Sequence, residues 1–145
     1  MESKSEVALA KFGEGFSCAQ SVFYSFCGDL QFDKNTALKL ACGFGAGMGR
    51  KGEVCGAVSG GILVIGMKYG RGENDDLAAK ELTYAKTRKF MDQFAKKHGT
   101  CICRQLLNGC DLTTEDGQKQ FKENDLSNKV CKPCVKSAVE ILENM

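Results

Sequence analysis

Nine of the 145 residues are cysteines, and thiols are the side chains here whose type and spacing point to chemistry. An odd number of cysteines argues against a disulfide framework and for metal binding, redox chemistry or packing. Packing is a real competitor, because a free cysteine behaves as a small hydrophobe. What separates the cysteines is their place relative to predicted helix starts. Ser17 reads as an N-cap, which puts Cys18 at the first helical position. Gly52 reads as another, with Cys55 inside the following turn. Thr100 can cap a helix that begins at Cys101 and carries Cys103, and Pro133 marks a first turn beside Cys131. Cys27, Cys42 and Cys110 fall toward helix ends and read as packing or incidental residues.

A helix start matters because its unpaired N–H groups and dipole favour a thiolate. The effect is about 0.3–1 kcal/mol, rising to about 2 kcal/mol when partly buried. That leaves a thiol of pKa about 8.5 mostly protonated at neutral pH. Neighbouring cations add to it: Arg50 and Lys51 precede Cys55, Arg104 follows Cys103, and Lys129 and Lys132 flank Cys131. Cys18 has no such neighbour and is expected to be the least acidic of these four.

The glycine-rich stretch GFGAGMGRKGEVCGAVSGG, residues 43–61, invites a phosphate-binding reading, since Gly47-Met48-Gly49-Arg50-Lys51-Gly52 matches G-x-G-x-x-G. That fingerprint works only between a buried strand and a helix. The preceding KNTALKLAC is helical in pattern, and Gly52 stands where a Walker loop needs a hydroxyl. The glycines therefore read as a tight loop that presents Cys55. Gly56 and Gly60, four apart, leave a flat helix face against which another backbone can pack.

Two other uses of the thiols compete. A structural zinc site could be drawn from Cys101, Cys103, Cys110, Cys131 and Cys134. Cys131-Lys132-Pro133-Cys134 could act as a dithiol at a helix start. Covalent haem is excluded, because Val135 stands where the attachment motif needs histidine. His98, the single histidine, sits before Gly99 and suits a helix end better than a ligand position. The acidic run at 72–76 reads as the solvated start of a long helix.

The elements that must position these thiols are helices. Apolar residues recur at spacings of three and four, strand signals are nearly absent, and Pro133 is the single proline. Helices are expected over 3–12, 18–30, 34–42, 53–69, 75–98, 101–107, 114–122 and 130–143, in an all-α bundle. The length suits one domain over 1–145. The apolar stretch 54–67 is too short for a membrane span and reads as a buried helix. Leu77, Tyr84 and Met91 repeat every seven residues, flanked by Leu82, Ala85, Phe90 and Phe94, so the long helix carries an apolar stripe. The stripe reads as core, with a homodimer contact as its other use. Twenty basic against eighteen acidic residues, with no long run of one sign, point to neither nucleic acid nor an anionic membrane. The first residues lack the pattern of a secretory signal, so the expected compartment is the cytoplasm.

These residues resemble the C_GCAxxG_C_C family, small redox-active proteins named for four cysteines around a CGAxxG-type motif. Cys18 in GFSCAQSV resembles the first cysteine, Cys55 in CGAVSG the motif cysteine, Cys103 in CRQLL the third and Cys131 in CKPCVKSAVEIL the fourth. Cys101 competes for the third place, and Cys134 is a thiol the family name does not require. The resemblance implies redox function and supplies no substrate or reaction. The expectation is that Cys18, Cys55, Cys103 and Cys131 gather into one site. That site would cycle through a disulfide or hold an iron–sulfur cluster or zinc, with Cys101 and Cys134 as substitute ligands and an unidentified redox partner.

Overall fold

The computed structural model describes residues 2–145. Its elements are α1 (Lys4–Gly13), α2 (Cys18–Leu30), α3 (Lys34–Ala41), α4 (Gly45–Met48), α5 (Gly56–Tyr69), α6 (Leu77–His98), α7 (Cys103–Leu106), α8 (Glu115–Glu123) and α9 (Lys132–Glu143). The chain is all-α: among the described residues there is no strand, only an isolated bridge between Val54 and Ile102. No described helix is long and apolar enough to cross a membrane.

The main core forms around α2 and α5. Ala19, Val22, Phe23 and Phe26 face inward from α2, and Gly56 to Gly61, Val64 and Ile65 are buried along α5. The expected close approach is present. A Cβ on Gly60 would stand 2.5 Å from the carbonyl oxygen of Ala19, and one on Gly56 would stand 3.0 Å from the Ala19 nitrogen. Two helices can cross this tightly only where a side chain is missing, and the crossing sets Cys18, next to Ala19, beside the start of α5. From the other side α9 contributes Cys134, Val135, Ala138, Val139 and Leu142 to the same core.

A second, smaller apolar cluster joins Cys103, Leu107, Cys110 and Leu112 to Ala46, Phe121, Leu126, Val130 and Cys131. It is built from α7, α8 and the chain leading to α9, and Val130 is packed against both clusters.

Three expectations need correction. Helix α5 starts at Gly56, with Cys55 as its N-cap, where Gly52 was expected to cap. Helix α7 starts at Cys103 with Ile102 as N-cap, where Thr100 was expected. Both shifts have one cause. The segments before the two helices pair with each other: Cys55 N donates to Cys101 O at 2.7 Å and Cys103 N donates to Glu53 O at 2.6 Å. A donor satisfied across the pair has nothing to gain from an earlier helical turn. The third correction concerns α6. Phe90 and Phe94 are buried, but Leu77, Leu82 and Tyr84 are exposed, so the stripe is core only in its second half.

Candidate functional site

Each thiol near the junction of the two clusters is held by its own local device. Cys18 opens α2 behind a complete capping box: Ser17 Oγ accepts from Gln20 N at 3.2 Å, and Gln20 Oε1 accepts from Ser17 N at 2.9 Å. Cys55 caps α5 and Cys103 opens α7, and the paired segments tie the two together. Cys131 ends a π-helical turn, Ser127–Cys131, and is the N-cap of α9, with Pro133 and Cys134 in the first turn.

The glycine loop forms a further wall, and the short element α4 within it is not a regular right-handed helix. Five consecutive residues are left-handed: Ala46 (φ 55°), Gly47 (φ 67°), Met48 (φ 69°), Gly49 (φ 59°) and Arg50 (φ 73°). Each non-glycine in that region costs about 1–2 kcal/mol. Gly47 is required twice over, by its φ and because a Cβ there would stand 2.7 Å from Cys103 Cβ. Two contacts hold the loop down: Glu53 N donates to Gly47 O at 2.9 Å, and Arg104 Nη2 donates to Lys51 O at 3.1 Å. Strain of this kind persists where the surroundings enforce it, and such places are often functional.

Cys18, Cys55, Cys103, Cys131 and Cys134 all line one cavity of about 150 Å³. Apart from Ser17, the remaining wall is apolar, with Phe12 from α1, Leu106 from α7, Phe121 from α8, and Leu107, Leu112 and Val130. No charged side chain lines it. Four of the cysteines singled out by sequence thus line the same cavity, and Cys134, a substitute ligand in that expectation and a member of both competing ones, lines it with them. Its signal was the C-x-x-C spacing, which puts two sulfurs on one face of a helix start. Cys101 does not line the cavity; its Sγ donates to Met91 O at 3.4 Å.

The electrostatics divide the thiols. Cys55 is held below the ordinary thiol range, chiefly because Cys134 donates its hydrogen bond to the Cys55 sulfur. Burial opposes this, while the N–H groups of Ala57 and Val58 at the mouth of α5 support it. Cys134 is pushed up correspondingly, first by that hydrogen bond and then by burial. Cys18 is pushed well up as a donor to Cys131 and by burial. Burial, followed by the neighbouring thiols Cys55, Cys131 and Cys110, pushes Cys103 up to about 12, despite the opposing charge of Arg104. Within the cavity, then, the Cys55 thiol is shifted down while those of Cys18, Cys103 and Cys134 are shifted up.

The other expected candidates lie elsewhere. Cys110 Sγ donates to Gly117 O at 3.1 Å, and Cys27 Sγ to Phe23 O at 3.2 Å, both as buried packing thiols. Cys42 is exposed. The five sulfurs of the zinc alternative are thereby divided, Cys101 and Cys110 bonding to main-chain carbonyls away from the cavity. Among the described residues no three Cys, His, Asp or Glu side chains are arranged as they stand to hold a metal ion. His98 ends α6 with its ring against Phe94, centroids 4.7 Å apart, and does not line the cavity.

A family model described as "Putative redox-active protein (C_GCAxxG_C_C)" matches residues 16–145. The chain belongs to the C_GCAxxG_C_C family. Comparison with curated proteins and with solved structures gave no match. The C_GCAxxG_C_C match takes in all five cavity cysteines.

Proposed function

We propose that this protein is a thiol–disulfide redox protein whose working centre is the cysteine-lined cavity, with Cys55 as the thiolate and Cys134 as the thiol that joins it in a disulfide. The observation that carries this reading is that Cys55 and Cys134 are both buried and line one cavity at the start of α5, where the Cys134 thiol helps hold the Cys55 thiol below its ordinary range. A thiolate is the nucleophile in thiol chemistry, and a helix start is where a protein makes one. Formation of the disulfide removes two electrons and two protons from the pair. Cys18, Cys103 and Cys131 complete the site. A reducing cytoplasm suits the reading, because there such a disulfide is transient and catalytic rather than structural. The whole chain, 1–145, acts as one domain in this account.

A second reading rests on the number of sulfurs. Five thiols exceed the two that one disulfide needs, and a cysteine-only donor set in an apolar cavity fits an iron–sulfur cluster. Cys18, Cys55, Cys103 and Cys131 would hold it, with Cys134 as substitute. When bound, a cluster would supply one-electron transfer. The Cys18–Cys131 and Cys55–Cys134 contacts would first have to part, which places this reading second.

The test is anaerobic purification followed by iron, zinc and sulfide analysis, a visible spectrum, and a thiol count across a series of dithiol redox buffers. Metal-free protein that loses and regains two thiols reversibly supports the disulfide reading. Stoichiometric iron and sulfide with a visible band would replace it with the cluster.

A further inference from the structure

Cys131 and Cys134 bracket the first turn of α9 yet contact different partners, Cys18 for the one and Cys55 for the other. The two pairs differ in access. Cys134 is 2% exposed and Cys55 6%, whereas Cys18 and Cys131 are both partly exposed. Leu106, Leu107, Leu112 and Phe121 wall the cavity that the inner pair faces, so a folded protein's thiol cannot reach those sulfurs. Cys131 lines the same cavity but is partly exposed, and it ends a π-helical turn, a feature frequent at functional sites.

We propose that Cys18 and Cys131 form an outer dithiol that passes reducing equivalents inward to a Cys55–Cys134 disulfide, and that the partner docking at these partly exposed thiols is a protein dithiol. The proposal rests on the disulfide reading above. Cys131 gives its proton to solvent, and its thiolate attacks the Cys134 sulfur. A Cys131–Cys134 bond forms, the Cys55–Cys134 bond breaks, and Cys55 leaves with the electron pair as a thiolate. Attack at Cys134 is the favoured direction, because the more acidic thiol is the better leaving group and Cys131 shares a helical turn with Cys134. The Cys18 thiolate then attacks Cys131. Cys134 leaves and takes up the proton that Cys18 gave up, which completes a Cys18–Cys131 disulfide and an inner dithiol. These two exchanges move a disulfide outward with no net change in electrons. The partner dithiol then reduces Cys18–Cys131 with two electrons and two protons and becomes a disulfide itself.

The test uses the full chain, oxidised with diamide and mapped to confirm the inner disulfide, then reduced either by thioredoxin or by dithiothreitol. In Cys131→Ser, reduction of Cys55–Cys134 by thioredoxin is expected to slow by about tenfold or more, because direct attack on a walled-in sulfur is all that remains. Dithiothreitol, small and uncharged, should still reduce it, which shows that the variant is folded and its disulfide open to a small reductant. In Cys18→Ser the Cys131–Cys134 disulfide should accumulate and be captured by alkylation and mass mapping. Thioredoxin reducing Cys131→Ser as fast as wild type overturns the relay and leaves the disulfide reading intact. Failure of wild type to form Cys55–Cys134 at all overturns both.

Discussion

Gly60 of α5 lies against Ala19 of α2 so closely that a Cβ on Gly60 would stand 2.5 Å from the Ala19 carbonyl oxygen and 2.9 Å from its Cα. This crossing sets the spacing between the start of α2, with Cys18, and the start of α5, with Cys55. Gly60→Ala is expected to push the two helices apart and to destabilise the protein by about 1–3 kcal/mol, the usual cost of overpacking. Gly66→Ala, on the same helix with nothing within 4 Å of the new methyl, should instead stabilise by about 0.5–1 kcal/mol. Urea denaturation of the two variants gives midpoints that move in opposite directions.

The left-handed loop stores strain that substitution can release. Arg50 is exposed and holds φ 73°, a conformation glycine adopts without steric cost. Arg50→Gly should raise stability by up to about 1 kcal/mol, read as a higher denaturation midpoint at unchanged slope. A lower midpoint would mean that the arginine makes contacts worth more than the strain.

The pH dependence of alkylation separates the thiols. Cys55 is shifted down by the Cys134 hydrogen bond, so its thiolate fraction, and its rate with a small neutral alkylating agent, should rise at lower pH than for an ordinary thiol of pKa about 8.5. Cys103, pushed up to about 12, should stay unreactive across the same range. Cys134→Ala removes the donor, and the Cys55 profile should then move to higher pH. Peptide-resolved labelling against pH measures both shifts.

Much of the fold was legible because helix signals are local. Helix α2 has the bounds its sequence predicts, since Ser17 and Gln20 spell out a capping box and Val22, Phe23 and Phe26 mark the inner face. That Cys18, Cys55, Cys103 and Cys131 line one cavity has a counterpart in the sequence, where all four stand near helix starts. Two things were not legible. The pairing of residues 53–55 with 101–103 is non-local, and it delayed the starts of α5 and α7. The contact between Cys134 and Cys55 depends on how α9 packs on α5, which no local pattern encodes. The exposure of Leu77, Leu82 and Tyr84 has no local signature either, because periodicity marks an apolar face without saying whether anything covers it.

The most direct test is to oxidise the native chain anaerobically with a substoichiometric amount of diamide, trap free thiols by alkylation, and map the linkages by mass spectrometry. The account predicts a first disulfide between Cys55 and Cys134, with Cys27, Cys101 and Cys110 still free. A first disulfide that leaves Cys55 reduced, or that joins it to a sulfur outside the cavity, would contradict it.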